Sequence, residues 1–313
     1  MPQQTPGIHH VTAIASDPNR THEFYTETLG LRLVKRSVNQ DDTSVYHLFY
    51  ADHEGTPGTS MTFFPYSDAQ PGRVGTGQVS TVSFLVPAES LEYWRDRLAD
   101  AGAEPGEPTE RFGDPVLPFT DPDGLPLELV ARPDAPPANL PESPVPTAHA
   151  IRGFFGVTLS LTGVDPTTDL LREMGYRETN RNENCRRYET DGDLGYVIDV
   201  REEPQAPRGL PGAGTVHHVA YRIQREDQDD WRQFLIDRGL RPTEVIDRKW
   251  FESIYVREYA GVLFEFATKS PGYTVDEPLE SLGEKLVLPE WLEDRRESIE
   301  TGLPPLESTG GSK

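Results

Sequence analysis

Hydrophobic and polar positions along the chain repeat one pattern four times. Each repeat opens with a short strand-like run, continues with an amphipathic helix that ends in glycine, and closes with further strand-like runs. The first strands begin at HVTAI, TVSFL, FGV and HVAY, and the helices end at Gly30, Gly102, Gly175 and Gly239. The distance from strand start to glycine is 20 or 21 residues in every repeat. This regularity predicts an α+β fold with four repeated βαβββ units.

The helix ends carry local signals of their own. A glycine just beyond a helix supplies the left-handed residue that ends it. Asp17-Pro18 and Asp165-Pro166 predict two helix N-termini, each with an aspartate cap and a proline in the first turn. The strand-like runs after the helices are TSVYHLFYA, TSMTFFP, PLELVA, CRRYE, LGYVIDV, SIYVRE and VLFEFA.

A proline-rich stretch without periodicity, residues 133–148, predicts a semi-rigid linker. It separates a first half, 1–132, from a second half, 149–270, and each half holds two units. Residues 271–313 form a predicted C-terminal tail. Within it LPEWLEDRRESIE has helical character, and we expect the final STGGSK to be disordered.

Composition narrows the classes of function. The chain has 313 residues with 52 acidic and 30 basic side chains, and a formal charge of −22 argues against nucleic-acid and anionic-membrane partners. A single cysteine, Cys185, excludes an internal disulfide and a cysteine-rich zinc site. No apolar run approaches the roughly 18 residues of a membrane span, and MPQQTPGIHHV does not resemble a secretory signal. We therefore expect a soluble, cytoplasmic protein.

Lysine is scarce on this acidic chain. Of the 30 basic residues, 25 are arginine. The lysines are Lys35, Lys249, Lys269, Lys285 and Lys313. Such a surface is typical of adaptation to concentrated salt, and the alternative is an ordinary acidic cytosolic protein. Salt adaptation predicts that the free energy of unfolding rises between low and molar KCl, and an unfolding curve without that rise contradicts it.

Two of the four first strands begin with a histidine pair, His9-His10 and His217-His218. Neighbouring strand residues point to opposite faces of a sheet, so one histidine of each pair can face the concave side. A single histidine at a strand start is more often an ordinary core or surface residue. Two pairs at the same register of a repeat favour a functional role.

The last strands differ in their acidic residues. Glu265 in VLFEFA and Glu128 in PLELVA both lie 26 residues beyond their helix glycine, and Asp199 in YVIDV is close to the same position. The first unit has MTFFP there and no carboxylate. A glutamate between Phe264 and Phe266 costs several kcal/mol to bury without a cation. Glu128 lacks a histidine in its own unit, so we interpret it as structural or as part of a vestigial site.

If the first and fourth units share a sheet, they bring together His10, His218 and Glu265. Two imidazoles and a carboxylate form the facial ligand set that leaves open positions on Fe(II), and Mn(II) suits the same donors. The set could also hold zinc with a catalytic water. His47 in VYHLFY is interpreted as a half-buried strand residue that could face a cavity.

The repeat and several longer motifs together resemble a known family. GIHHVTAIASDP, VYHLFYADHEGTPGTSMTFFP, TVHHVAYRI, DRKWFESIYVRE and GVLFEFA are similar to hydroquinone ring-cleaving dioxygenases of the vicinal-oxygen-chelate superfamily, which also includes glyoxalases and bleomycin-resistance proteins. The resemblance covers nearly the whole chain. It implies two paired-unit domains with curved mixed sheets.

The resemblance also implies functional residues. In this family the second histidine of each pair and the glutamate bind Fe(II), and the matching positions are His10, His218 and Glu265. Polar residues surround the substrate. The matching positions are His9, Thr12, His217, Arg248 and Tyr255. Arg248 and Tyr255 could hydrogen-bond a phenolate, and the alternatives are surface ion pairing for the arginine and core packing for the tyrosine.

The implied activity is a non-haem Fe(II)-dependent ring-cleaving dioxygenase. It inserts both atoms of its co-substrate O2 into a dihydroxylated aromatic of hydroquinone or catechol type. The alternatives are a glyoxalase-like metal-dependent isomerase or lyase and a non-catalytic small-molecule-binding protein of the bleomycin-resistance type. Paired-unit folds often associate, so a homo-oligomer is a further expectation.

Overall fold

A computed structural model describes residues 2–307 of the chain, so the disorder predicted for STGGSK lies outside the described residues. Four βαβββ units follow one another along the chain, as the repeat predicts. Unit one contains β1 (Ile8–Ala15), α1 (Pro18–Glu23), β2 (Arg32–Asn39), β3 (Asp42–Ala51) and β4 (Ser60–Pro65). Unit two contains β5 (Gln78–Pro87), α2 (Leu91–Asp100), β6 (Thr109–Arg111), β7 (Asp114–Thr120) and β8 (Pro126–Arg132).

Units three and four repeat the same order. Unit three contains β9 (Gly153–Leu161), α3 (Asp165–Glu173), β10 (Arg177–Arg181), β11 (Cys185–Glu189) and β12 (Val197–Glu202). Unit four contains β13 (Thr215–Ile223), α4 (Gln228–Asp237), β14 (Ile246–Asp247), β15 (Glu252–Arg257) and β16 (Leu263–Thr268). Helix α1 continues into a short π-helix at Phe24–Thr28, and the tail adds 3-10 turns and α5 (Arg296–Gly302).

The glycine that follows each unit's helix has a positive φ. The angles are 73° at Gly30, 73° at Gly102, 108° at Gly175 and 74° at Gly239, so these residues end the helices as predicted.

The two predicted aspartate caps behave differently. The Asp17 carboxylate accepts hydrogen bonds from the backbone N–H groups of Asn19 and Arg20 and caps α1. The cap predicted at Asp165 is wrong, because α3 already includes Asp165 and its N-cap is Val164, which makes no side-chain capping bond.

The strands form two curled eight-stranded mixed sheets. Sheet one has the order β14-β15-β16-β13-β1-β4-β3-β2 and combines units four and one. Sheet two has the order β10-β11-β12-β9-β5-β8-β7-β6 and combines units three and two. The first strands of each pair of units meet antiparallel at the centre, with the last strands parallel beside them. The outer quarters of the chain therefore share one sheet, and the predicted fold class is confirmed.

The C-terminal tail packs on the outer part of sheet one. Lys35 of β2 is completely buried, and its Nζ lies 2.7 Å from Asp276 Oδ1 and donates to the carbonyl of Tyr273 at 3.0 Å. The backbone N–H of Val287 donates to the carbonyl of Arg36 at 2.9 Å. The predicted helical character of the tail is found in the 3-10 turn Glu290–Arg295 and in α5. The domain boundaries at 132, 148 and 270 stay a prediction. In the described part of the chain, no helix has the length and apolarity to cross a bilayer.

Candidate metal centre and active-site cavity

The centre of sheet one brings the two histidine pairs together. In the antiparallel pairing of β1 with β13, Thr12 lies opposite His218 and His10 lies opposite Ala220. The His10 and His218 side chains are almost fully buried, and their Nε2 atoms are 3.2 Å apart. Residues separated by 208 positions in the sequence thus become direct neighbours.

Glu265 completes this cluster from the neighbouring strand. Strand β16 pairs parallel with β13, which puts Glu265 beside Ala220 and next to the two imidazoles. Glu265 is completely buried, and its Oε2 lies 3.2 Å from His10 Nε2 and 2.8 Å from His218 Nε2. One oxygen and two nitrogens, each able to bind a metal, therefore converge on one point.

The charge of Glu265 has no arginine or lysine partner within 4 Å among residues 2–307. Burial raises the pKa of Glu265, but His10 and His218 outweigh it and hold that pKa well below its usual range. The Ser253 hydroxyl donates to Oε1, whereas the buried Oε2 accepts no well-aligned hydrogen bond from the described residues. A buried carboxylate oxygen in this state is a suitable ligand for a cation.

The spacing of the three donor atoms fits a metal ion. Ligand atoms about 2.1 Å from an ion, on adjacent corners of an octahedron, are separated by about 3 Å. The three separations here are 2.8, 3.2 and 3.2 Å. Imidazole nitrogen and carboxylate oxygen are donors that divalent Fe, Mn and Zn accept. The residues present therefore fit a divalent metal ion.

Each histidine of the cluster is oriented by the histidine that precedes it. His9 Nδ1 lies 3.0 Å from His10 Nδ1, and His217 Nδ1 lies 2.8 Å from His218 Nδ1. When the Nδ1 of His10 or His218 carries the proton and donates it, Nε2 is left with a free electron pair directed at the cluster. Burial, followed by the charge of His10, lowers the pKa of His9, which keeps it a neutral acceptor.

A cavity of about 700 Å³ opens above the cluster. His10 and His218 line it, and aromatic rings form a large part of its wall beside polar side chains. The aromatic side chains of the wall are Phe49, Phe64, Tyr66, Trp250, Phe251 and Tyr255. A flat, apolar ring fits such a wall, and the polar groups among these side chains can fix its orientation.

Arg248 and Tyr255 form a polar pair on this wall. The Arg248 Nε donates to the Tyr255 hydroxyl at 3.2 Å, and its Nη2 donates to Asp41 Oδ2 at 2.9 Å. The Tyr255 ring meets His218 edge to face at 5.7 Å. Burial and the charge of Glu265 raise the pKa of Tyr255 despite the nearby arginine, so its hydroxyl is protonated at neutral pH and can donate.

Residues 7–129 match the family described as the Glyoxalase/Bleomycin resistance protein/Dioxygenase superfamily. The chain is 43% identical over 309 residues to a Bacillus subtilis (strain 168) protein named "Putative ring-cleaving dioxygenase MhqO", and the match covers 98% of each chain. It is 33% identical over 310 residues to the chlorohydroquinone/hydroquinone 1,2-dioxygenase of Sphingobium indicum, with 96% of each chain covered. This chain belongs to the ring-cleaving dioxygenase family.

A crystal structure of a dioxygenase from Bacillus subtilis, described in its name as putative, has the same fold. Its TM-score is 0.94 at 43% identity, and the match covers 97% of this chain and 98% of that one. The architecture of two sheets built from paired units is therefore shared along the whole length of the two chains.

Of the eight site residues expected from the sequence, most lie at the cavity or its floor. His10, His218 and Glu265 form the cluster, and His217, Arg248 and Tyr255 line the cavity. Thr12 lies beneath it, with Oγ1 2.8 Å from His218 Nε2. His9 instead lines a neighbouring cavity of about 470 Å³, which Trp250 and Phe251 separate from the main one.

Sequence reasoning missed Thr62, although it occupies the position in unit one that Glu265 occupies in unit four. In each parallel pair of strands, Thr12 lies opposite Thr62 as Ala220 lies opposite Glu265. Thr62 follows its helix glycine by 32 residues rather than 26, because β2 and β3 form a longer hairpin in unit one. Counting from the helix glycine therefore does not align Thr62 with Glu265. The two residues align when the parallel pairing of the first and last strands of each unit is used instead.

Ser253 and Phe251 were also missed. Ser253 holds Glu265 through its hydroxyl, and the Phe251 ring packs against both His9 and His10 at 5.2 and 5.1 Å. A serine or phenylalanine on a strand carries no sequence signal that separates such a role from ordinary packing.

Proposed function

We propose that this protein is an Fe(II)-dependent dioxygenase that cleaves a dihydroxylated aromatic ring of hydroquinone or catechol type and inserts both atoms of O2. The observation that carries the proposal is the convergence of His10 Nε2, His218 Nε2 and Glu265 Oε2 at the floor of an aromatic cavity. Relatives that match the whole chain and are named for ring cleavage support it.

His10, His218 and Glu265 would hold the ion, and the cavity above them has room for an aromatic ring. Two neutral imidazoles and one carboxylate suit Fe(II), and Mn(II) is the alternative with the same donors. When bound, the iron supplies the electron transfer between ring and O2 that amino-acid side chains do not provide. The protein contributes the arrangement of the reactants and the charges around them.

The cavity wall orients the ring. Phe49, Phe64 and Trp250 offer apolar surface that excludes water from the ring faces. Arg248 presents a guanidinium that favours a substrate hydroxyl in its phenolate form. Tyr255 is protonated and donates its hydroxyl hydrogen to a substrate oxygen that becomes negatively charged.

Two further residues act next to the ligands. Thr12 Oγ1 lies 2.8 Å from His218 Nε2, so its hydroxyl can hydrogen-bond a substrate oxygen that comes next to this ligand. His217 lines the cavity and hydrogen-bonds the Nδ1 of His218, so it can contact substrate and hold the ligand's orientation. His9 holds His10 in the same way and acts as a positioning residue.

Oxygen uptake by protein reconstituted anaerobically with Fe(II) tests this function. We expect one O2 consumed per ring when a panel of hydroquinones and catechols is added. Protein that holds one iron and consumes no O2 with any of them contradicts the proposal. Conversion of an added thiol adduct without O2 would favour glyoxalase-like isomerisation, and protein that binds no metal would favour a binding function.

The variant His218→Ala tests the ligand assignment. We expect it to lose oxygen uptake while its circular dichroism spectrum stays that of the wild type. Thr81→Ala is the matched control, because Thr81 occupies the corresponding place in sheet two, where it lies opposite Thr158 as His218 lies opposite Thr12. Retained activity with normal iron content in His218→Ala would refute the assignment.

A further inference from the structure

His47 is a polar residue in the aromatic wall that the proposed reaction has not used. It lies on β3 and lines the main cavity. Its ring packs between Phe49 and Phe64, with ring centroids 3.9 and 4.4 Å away. These contacts restrict the ring to one orientation, so its nitrogens have fixed directions.

One of those nitrogens is already bound by the protein. His47 Nε2 lies 3.0 Å from Thr62 Oγ1, and Thr62 Oγ1 lies 2.7 Å from Thr12 Oγ1. The other nitrogen, Nδ1, has no hydrogen-bond partner among residues 2–307. It is not fully buried, and His47 lines the cavity. An imidazole held at Nε2 thus leaves Nδ1 as a hydrogen-bonding atom for something in the cavity.

The chemistry of that ligand follows from the neighbours of His47. Phe49 and Phe64, the rings packed against His47, carry no hydrogen-bonding group, so His47 is the polar group that this part of the wall offers to a substrate substituent. In hydroquinone the two hydroxyls lie at opposite ends of the ring. When one is at the ligand cluster, the other points into the cavity. In catechol both hydroxyls lie on adjacent carbons and stay near the cluster.

We propose that His47 binds the hydroxyl of the substrate that lies far from the metal ligands, and so makes the cavity select rings hydroxylated at the 1 and 4 positions. This inference rests on the proposed function, because it takes a dihydroxylated ring as the substrate. His47 would touch the substrate, and Thr62 acts as a positioning residue that holds the imidazole ring at Nε2.

Binding without turnover tests the role of His47. Protein loaded with Fe(II) is titrated under argon with hydroquinone and with phenol, which lacks the second hydroxyl, and Kd is measured by calorimetry. We expect the wild type to bind hydroquinone about fivefold more tightly, the effect of one hydrogen bond. In His47→Phe the two Kd values become equal through weaker hydroquinone binding, and an unchanged Kd for phenol reports an intact cavity.

Two further variants separate contact with substrate from support of the fold. Asparagine keeps a hydrogen-bonding atom near the position of Nδ1, and glutamine keeps one near Nε2. We expect His47→Asn to retain most of the preference for hydroquinone. His47→Gln keeps a partner for Thr62 and loses the preference. A merely structural role predicts the reverse, with glutamine behaving as the wild type.

The outcomes separate this inference from the proposed function. A wild type without a preference for hydroquinone, or a preference that survives in His47→Phe and His47→Gln, overturns the role of His47. Oxygen uptake by the wild type is measured on the same preparation. Its absence contradicts the proposed function, whereas uptake together with unaltered Kd ratios contradicts the role of His47 alone.

Discussion

The two sheets of this molecule hold acidic residues at the same register but neutralise them in opposite ways. In sheet one, Glu265 lies opposite Ala220, and in sheet two Glu128 lies opposite Ser83 and Asp199 lies opposite Thr158. All three carboxylates are buried. Burying such charges without a cation costs several kcal/mol each, so each sheet needs positive charge at its centre.

Sheet two obtains that charge from its own arginines. Arg111 donates from Nη1 to Glu128 Oε2 at 3.0 Å, and its Nε lies 2.8 Å from Asp199 Oδ2. Arg187 donates to Asp199 Oδ1 at 2.8 Å and pairs with Asp114. Arginine suits this role because its guanidinium binds carboxylates with several parallel hydrogen bonds.

Sheet one has an aromatic residue where sheet two has an arginine. Tyr255 lies opposite Glu265 in the pairing of β15 with β16, and Arg187 lies opposite Asp199 in the pairing of β11 with β12. The same position is thus filled by a phenol in one sheet and by a permanent cation in the other. One βαβββ pair thus builds a closed ion-pair core, and the other leaves a cluster of metal-ligating side chains open to a cavity.

The largest expected difference between the sheets is in activity. We expect Glu265→Gln to reduce oxygen uptake to background, because it removes the anionic ligand of the proposed ion. Glu128→Gln is its matched control and should change turnover by less than about twofold, since Glu128 binds Arg111 in the other sheet and lines no part of the cavity. Metal content and oxygen uptake of both variants check this. Equal losses in the two variants would contradict the comparison.

The next largest effect concerns stability. Arg187→Met leaves Asp199 and Asp114 with fewer cationic partners, and breaking a buried ion pair of this kind costs about 3–5 kcal/mol. We expect a value near 3 kcal/mol, because Arg111 still lies beside Asp199. Urea unfolding of the Fe(II)-free protein measures it.

The control for that experiment is Tyr255→Phe at the corresponding position of sheet one. It removes one hydrogen bond and should change the free energy of unfolding by about 1 kcal/mol. If both variants cost the same, the arginines of sheet two do not replace a metal ion.

Added metal should stabilise sheet one specifically. An ion that binds the folded state at about 100 times its Kd adds about 2.7 kcal/mol, which corresponds to a rise in melting temperature of roughly 5 °C. We expect the wild type and Glu128→Gln to show this rise under anaerobic Fe(II) or Mn(II), and a chelator to reverse it. Glu265→Gln should melt at the same temperature with and without metal, and a rise equal to that of the wild type would count against the ligand set.

The smallest effect tests two serines that make the same contact. The hydroxyl of Ser253 donates to Glu265 Oε1, and that of Ser83 donates to Glu128 Oε1. Loss of a hydrogen bond that orients a ligand weakens metal binding by about tenfold or more. We therefore expect Ser253→Ala to raise the Kd for metal about tenfold and Ser83→Ala to leave it unchanged. Similar metal affinity in both variants would show that Ser253 does not orient the ligand.

The sequence predicted the features that depend on local patterns. The glycines after the helices and the βαβββ order follow from periodicity and backbone sterics within each unit. The placement of His10, His218 and Glu265 at one register also follows from the repeat, once units one and four share a sheet. The features that could not be predicted depend on contacts between units.

Arg111 and Arg187 illustrate that limit. Arg111 of unit two bridges to Asp199 of unit three, and Arg187 of unit three pairs with Asp114 of unit two. Nothing in the spacing within one unit distinguishes these arginines from solvated ones. For the same reason, the sequence does not decide whether His47 is an ordinary half-buried strand residue or faces the cavity. Its orientation depends on a contact with Thr62 on β4.

A crystal structure of the Fe(II)-loaded protein, with an anomalous difference map at the iron absorption edge, tests the central claim most directly. We expect one strong peak at bonding distance, about 2.0–2.3 Å, from His10 Nε2, His218 Nε2 and a carboxylate oxygen of Glu265. A peak beside Glu128 and Asp199, or full iron content with no peak at the histidine cluster, would contradict it.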